Sequence, residues 1–363
     1  MVPNGWEEKR LGKVAEFQRG FDLPSAKRLD GNIPIISSSG VSGFHNESKV
    51  KAPGIVTGRY GTIGNVFLID EDFWPLNTSL WVKDFHQNEI KFIYYLLQSF
   101  DFKKFSDKTG VPGVNRNDLH AVKVKVPPLP EQQKIAKILT TWDKAISTTE
   151  RLIDNSKQQK KALMQQLLTG KKRLLDDNGN PFEGEWKSSN FSKVFEVANN
   201  KNSQVKSSDY LESGTIPIVD QGKKLVSGYT NKQDIYSDTP VIIFGDHTRV
   251  VKWVDFNFCQ GADGTQVLKP NSILETKFAY YLLSHTPIPN LGYSRHMREL
   301  KEKSFKYPID KLEQQKIAAV LTTADKEIEL LEQQLADLQQ EKKALMQVLL
   351  TGKKRVVVDG EVV

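Results

Sequence analysis

Two stretches of the chain, Glu131–Arg173 and Glu313–Arg355, carry apolar residues at a period of seven. In the second, Ile317, Ala324, Leu331, Leu338 and Leu345 form one series. Leu321, Ile328, Leu335 and Leu349 form another, interrupted by Lys342. The same register in the first stretch picks out Ile135, Trp142 and Leu163, then Leu139, Ile146, Ile153 and Leu167, with polar Thr149, Ser156 and Lys160 between them. This alternating three–four spacing predicts a coiled-coil seam. Leu, Ala, Lys, Gln and Glu dominate both stretches and proline is absent from them, so both are expected to be long helices. Pro128 and Pro130 mark the first entrance. Gly170 and Gly352, each followed by Lys-Lys-Arg, suit helix C-caps and the negative end of the dipole. About 40 helical residues would make a rod of roughly 60 Å.

The two stretches are copies. At an offset of 182 they match without a gap at 27 of 43 positions. Weaker echoes precede them: Trp6 with Trp186, Ile33-Pro34-Ile35 with Ile216-Pro217-Ile218, and Phe92–Leu97 with Phe278–Leu283. The chain is therefore a duplication, globular unit then helix, twice over. Because only the short segment Leu174–Glu185 separates the first helix from the second unit, paired helices would have to run antiparallel. The expected fold class is α+β: two loop-rich mixed α/β domains joined by two long antiparallel coiled-coil helices, a dumbbell with pseudo-twofold symmetry. Each unit is expected to open with a short helix-like segment and continue as strands at 33–36, 54–56 and 65–69, or 239–244 and 250–254. The predicted divisions are 1–126 and 174–307 for the domains, 127–173 and 308–355 for the helices, and 356–363 for a tail.

Composition adds a modest constraint. In 363 residues, 51 Lys+Arg against 44 Asp+Glu give a net charge of +7, which suits a polyanionic partner. Cys259 is the single cysteine, so an intramolecular disulfide or a CxxC zinc site is excluded. The opening residues lack the apolar core of a signal peptide and no apolar run is long enough to span a membrane, so a soluble cytoplasmic protein is expected.

Catalytic signatures are missing. Thr169-Gly170-Lys171-Lys172 lacks the first glycine and the Ser/Thr of a phosphate-binding loop. Gly58–Gly64 is glycine-rich but spaced as a turn, and Asn180-Pro181-Phe182 lacks the second proline of a base-methylating motif. The six histidines show no metal-ligand spacing, and Ser37–Gly43 is not a nucleophile elbow. Asp177, Glu185 and Lys187 would be a chance nuclease set in a linker, and Cys259 reads as a small buried residue. No catalytic residue and no metal site is predicted.

An ordered set of motifs nevertheless stands out. Each copy has a Glu-Gln-Gln-Lys-Ile-Ala helix entrance, preceded by Pro128 in the first copy and Asp310 in the second. Each has a Leu-Leu-Thr-Gly-Lys-Lys-Arg exit at 167–173 and 349–355. A glycine–tryptophan start opens each unit, at Gly5-Trp6 with Leu11-Gly12 and Val14, and at Gly184-Glu185-Trp186 with Val194 but no Leu-Gly pair. Over essentially its whole length the chain resembles the DNA-specificity subunits of type I restriction–modification systems.

The resemblance implies a non-enzymatic subunit with two target-recognition domains, each reading one half of a bipartite, asymmetric site on double-stranded DNA. It implies helices that set the gap and dock two methyltransferase subunits. Those partners bring S-adenosylmethionine, and restriction–translocase subunits bring ATP and Mg2+. Side chains able to read bases are Arg and Lys on guanine, Asn and Gln on adenine, and Ser and Thr on either. Candidates in the first unit are Ser37, Ser38, Ser39, Arg59, Tyr60, Thr62, Lys108, Thr109, Asn115 and Arg116. In the second they are Gln221, Lys223, Lys224, His247, Thr248, Arg249, Asp263, Thr265, Gln266, Ser294, Arg295 and His296. Shared identity at seemingly exposed helix positions makes Gln132, Gln133, Asp143 and Lys144, with Gln314, Gln315, Asp325 and Lys326, the expected partner contacts. The basic exits read as caps or phosphate contacts. The competing classes are a stand-alone enzyme, such as a nuclease, and a coiled-coil scaffold for protein partners alone.

Overall fold

A computed structural model describes residues 2–105, 113–292 and 294–358. The chain divides into two units, Met1–Arg151 with Gln333–Val363, and Leu152–Glu332. The first contains β1 (Glu7–Arg10), β2 (Glu16–Arg19), β3 (Ile33–Ser37), β4 (Gly40–His45), β5 (Gly54–Gly58), β6 (Val66–Ile69), β7 (Trp74–Pro75), β8 (Ser79–Asp84), α1 (Ile90–Gln98), α2 (Arg116–Ala121), β9 (Lys123–Val126) and the opening of α3 (Leu129–Leu167). A four-stranded sheet in the order β2-β8-β5-β6 is antiparallel throughout. A smaller sheet, β4-β3-β7, has one parallel pair. β5 is buried at every position. Ile55 faces the core that contains α1, whereas Val56 faces Ile36 and Phe73. A strand covered on both faces needs a continuous apolar run, which Gly54-Ile55-Val56 supplies.

The second unit contains the end of α3, β10 (Trp186–Asn190), α4 (Phe191–Val194), β11 (Phe195–Val197), β12 (Gln204–Val205), β13 (Ile216–Val219), β14 (Gly228–Thr230), β15 (Val241–Gly245), β16 (Val251–Val254), β17 (Cys259–Gly261), β18 (Thr265–Pro270), α5 (Thr276–His285), α6 (Met297–Lys301), β19 (Ser304–Pro308) and the opening of α7 (Lys311–Leu349). Its large sheet runs β11-β18-β15-β16 and its small one β14-β13-β17-β12. Apart from β12, strand order repeats that of the first unit. Cys259 is fully buried at the start of β17, and burial raises its thiol pKa.

Both long helices are 39 residues, and each passes from one unit into the other. In the first unit Ile135 and Leu139 share a core with Leu345, Met346 and Leu349. In the second, Leu163 and Leu167 share one with Ile317 and Leu321. The start of one helix thus lies against the end of the other in each unit, which makes the pairing antiparallel. The seam positions read from the seven-residue period are all buried or half-buried, including polar Thr149 and Ser156. The two seam lysines are each answered by an aspartate. Lys342 pairs with Asp143 and Lys160 with Asp325. The same aspartates accept the hydroxyls of Tyr95 (2.6 Å) and Tyr281 (2.7 Å), and burial together with the carboxylate pushes both phenols well above their usual pKa.

Several expectations need correction. Each unit opens with a strand, β1 or β10, and its helical turn comes afterwards, at Leu11–Lys13 or α4. The long helices start two residues before the repeated stretch and stop at Leu167 and Leu349. There Gly170 (φ 73°) and Gly352 (φ 70°) take the left-handed conformation that closes a helix. The terminal arginines of the exits are internal ion-pair partners. Arg355 grips Glu131 through Nε–Oε1 at 2.7 Å and Nη2–Oε2 at 2.8 Å, and Arg173 grips Glu313 at 2.6 and 2.8 Å. Trp6 donates its indole N–H to Glu131 (3.0 Å) and lies against Gly352, while Trp186 lies against Gly170. A Cβ at Gly352 would come 2.4 Å from Pro3. Start, entrance and exit motifs therefore converge on one buried clasp in each unit.

The glutamates are almost wholly buried, so a clasp that loses its arginine strands a carboxylate away from water. Arg173→Met is expected to cost about 3 kcal/mol in denaturant unfolding, with Arg173→Met/Glu313→Leu recovering much of it. A loss below about 1 kcal/mol in the single variant would show that the clasp is not a stabilising element.

Candidate nucleic-acid interface

In the first unit three segments meet at one rim of the sheets: the β3–β4 turn, the β5–β6 loop and the residues leading into α2. The loop begins where Gly58 passes so close to the chain that a Cβ would lie 1.8 Å from the Thr62 carbonyl and 3.3 Å from Ser38. Arg59 and Tyr60 both donate their backbone N–H to Thr78 O, and Val114 N–H donates to Arg59 O at 2.8 Å. The Arg59 guanidinium stacks 4.5 Å from the Tyr60 ring, whose edge covers Gly113. Tyr60, Thr62, Ser39 and Asn115 are exposed there; Ser38 is buried. Ser37 uses its hydroxyl on Gly40 O and Ser39 Oγ within the turn, and Asn115 caps α2 through Asn117 N–H.

Arg116 points into a separate groove of about 490 Å³, shared with Arg10, Lys13, Glu16, His86 and His120. His120 accepts Phe17 N–H at Nε2, and burial with the Arg116 charge lowers its pKa, so it is held neutral. Glu16, Asp84 and His86 bring ligand atoms within 4.8 Å of one another, but Glu16 faces Lys83 and Asp84 accepts the His86 N–H. Lys108 and Thr109 lie outside the described residues.

The second unit builds its rim from the corresponding segments: the β13–β14 loop, the β15–β16 loop, the β17–β18 turn and the residues leading into α6. Gln221 ties three of them together. Its Nε2 donates to Asp263 O (2.9 Å), its Oε1 accepts His247 N–H (3.0 Å) and its carbonyl accepts the Thr248 hydroxyl. His247 Nδ1 lies 3.2 Å from Ser294 O, which adds the fourth segment. Lys223, Lys224, Thr248, Asp263 and Arg295 are exposed. Gln266 accepts from Asn199, and Arg249, at positive φ, donates to Ile288 O.

Three candidates are displaced by the structure: Ser38, already described as buried, and two in the second unit. Thr265 is 3% exposed inside β18, and His296 is fully buried, with Nδ1 on Asp246 O and Nε2 accepting Leu291 N–H. Their loop-like polar surroundings in the sequence concealed that one is a strand residue and the other a bracket. Asp246, missed in the sequence, is the other half of that bracket: buried, it accepts Met297 N–H at 2.6 Å and stands 4.0 Å from Arg295. A groove of about 550 Å³ beside it is lined by Arg295, Arg298 and Lys301 together with Asp246 and Glu302, so that α6, like α2, carries a flank with a basic excess.

The helix positions expected to contact partners fall into two classes. Gln132 and Gln314 are buried, each accepting the first N–H of a helix cap (Glu89 or Glu275) and donating to Pro127 O or Pro308 O. Asp143 and Asp325 are spent on seam lysines and tyrosines. Internal bonding accounts for the repeat at all four, although the Asp143 and Asp325 side chains remain 38% and 37% exposed. Gln133, Lys144, Gln315 and Lys326 are exposed.

Comparison with known proteins gives the same outline. The family model of the type I restriction modification DNA specificity domain matches residues 3–156 and 183–340. The specificity subunits ascribed to type I restriction enzymes MjaX and MjaVIII of Methanocaldococcus jannaschii are 28% and 25% identical, over 98% of this chain and 95% and 94% of theirs. The crystal structure of a type I restriction–modification S subunit from M. genitalium superposes with a TM-score of 0.67 at 17% identity, covering 96% of this chain and 98% of that one. With its two matched domains, the chain belongs to the type I restriction–modification specificity family, the non-catalytic subunits through which such complexes recognise DNA.

Proposed function

We propose that each unit reads one half of a bipartite, asymmetric DNA site through its rim, that the paired helices set the gap, and that two methyltransferase subunits dock on the helices. The observation that carries this reading is the repetition of one strand order with different side chains at the same rim: Ser39, Tyr60 and Thr62 in one unit, Gln221, Lys223 and Thr248 in the other. A common frame with unlike loops suits unlike half-sites. Basic residues beside α2 and α6 suit phosphate contacts, which position the frame without reading sequence. Restriction–translocase subunits would complete the assembly. S-adenosylmethionine, ATP and Mg2+ would belong to these partners, and the complex would work in the cytoplasm.

Methylated adenines mapped in cells carrying the complete system test the division of labour. Tyr60→Ala is expected to loosen one half-site only and Gln221→Ala the other only. Equal loss across all sequences would make these residues phosphate or structural contacts instead.

For partner docking, Lys144→Glu with Lys326→Glu should weaken methyltransferase-subunit assembly on a sizing column, because these lysines are exposed and outside the seam. Unchanged assembly would place docking elsewhere.

Residues 1–173 paired as a homodimer should read an inverted repeat of the first half-site. Lys160 of one copy can meet Asp143 of the other, as Lys160 meets Asp325 and Lys342 meets Asp143 in the chain. A complex reading an asymmetric site would contradict this.

A further inference from the structure

Lys252 lies on β16 with its side chain 5% exposed. A buried ammonium needs oxygen partners on every side, because its desolvation is costly. Here they come from one loop. Nζ donates to Asp220 O at 2.6 Å and to Lys224 O, and stands 3.6 Å from Asp220 Oδ1. The same carboxylate oxygen accepts Gly222 N–H at 2.8 Å and the Ser227 hydroxyl. The β13–β14 loop is therefore wrapped around a single cation, which satisfies carbonyls at both ends of the segment presenting Gln221, Lys223 and Lys224. Burial lowers the Lys252 pKa and Asp220 opposes that shift, consistent with an ammonium enclosed by protein oxygens.

Strand register shows that this device belongs to one unit alone. Lys252 pairs with Ile243 in the third position of β15, and Phe67 pairs with Val56 in the third position of β5. Phe67 lies 3.3 Å from where a Cβ on Gly40 would be, so the shorter β3–β4 turn rests on a ring. The same position in the frame thus supports the neighbouring loop by apolar packing in one unit and by a buried charge in the other.

We propose that Lys252 is a specificity-determining positioning residue: its ammonium holds the loop that presents Gln221, Lys223 and Lys224 to the half-site read by the second unit. This rests on the half-site reading above. The test is the map of methylated adenines in cells carrying the complete system with Lys252→Met, Lys252→Arg or Gln221→Ala.

With Lys252→Met, methylation at sites mismatched in the second unit's half should rise about tenfold, the scale of one lost base discrimination, while the other half stays strict. Lys252→Arg, which keeps the charge and donors, should keep the wild-type map. If Lys252→Met does not assemble, Lys252→Gln is read by the same criteria. An unchanged map, or equal loosening of both halves, overturns the inference. If Gln221→Ala alters the second half and Lys252→Met does not, the inference fails and the half-site reading stands. If neither alters it, both fall.

Discussion

Each unit closes on a bidentate arginine–carboxylate pair whose carboxylate is taken almost wholly out of water, and much of the remaining structure serves to satisfy it. Arg355 and Glu131 come from the two separate chain segments of the first unit, whereas Arg173 and Glu313 come from the two ends of the second unit's single span. Planar, two-pronged bonding fixes both distance and orientation between the entrance of one helix and the exit of the other. The helix exits must turn sharply to deliver the arginine, which accounts for the left-handed glycines, and the tryptophan of the unit's start packs on that turn. Further along, the seam lysines add a second polar tie. A half-buried charge inside a mostly apolar seam disfavours any register in which it has no counter-ion, a constraint that Lys160 and Lys342 place on the pairing.

Against this framework the rims are free to differ. Both large sheets end their central strand on a glycine, Gly58 or Gly245, where the chain doubles back too closely for a side chain. Past that glycine the two units diverge: Arg59 stacks on Tyr60 in one, whereas in the other His247 and Thr248 bond to Gln221 of the β13–β14 loop. Such loops are held by backbone and amide bonds to their neighbours and, in the second unit, by the buried Lys252 ammonium, so their outward side chains can change without disturbing the sheets beneath.

Much of the architecture was legible in the sequence because it is periodic. The seven-residue series marked the seam correctly even at Thr149, Ser156 and Lys160, and the offset of 182 exposed the duplication. The opening of each unit misled, because β1 and β10 are short edge pairs whose charged residues carry no alternation. The rim was only partly legible. A polar residue in a turn-rich stretch looks alike whether it faces solvent or brackets the loop from within, so His296 and Thr265 were grouped with Lys223 and Arg295. Repetition also misled at Gln132 and Gln314, which are buried and whose identity reflects a bond repeated in both units.

The clasp has a consequence for how the protein is made. The second unit is one continuous span of chain, whereas the first needs residues from both termini of the sequence, Trp6 and Glu131 on one side and Arg355 on the other. A ribosome delivers Arg355 after everything that Arg173 and Glu313 require. The half synthesised earlier is therefore locked later, and until then the α3 opening waits with Glu131 lacking its cation.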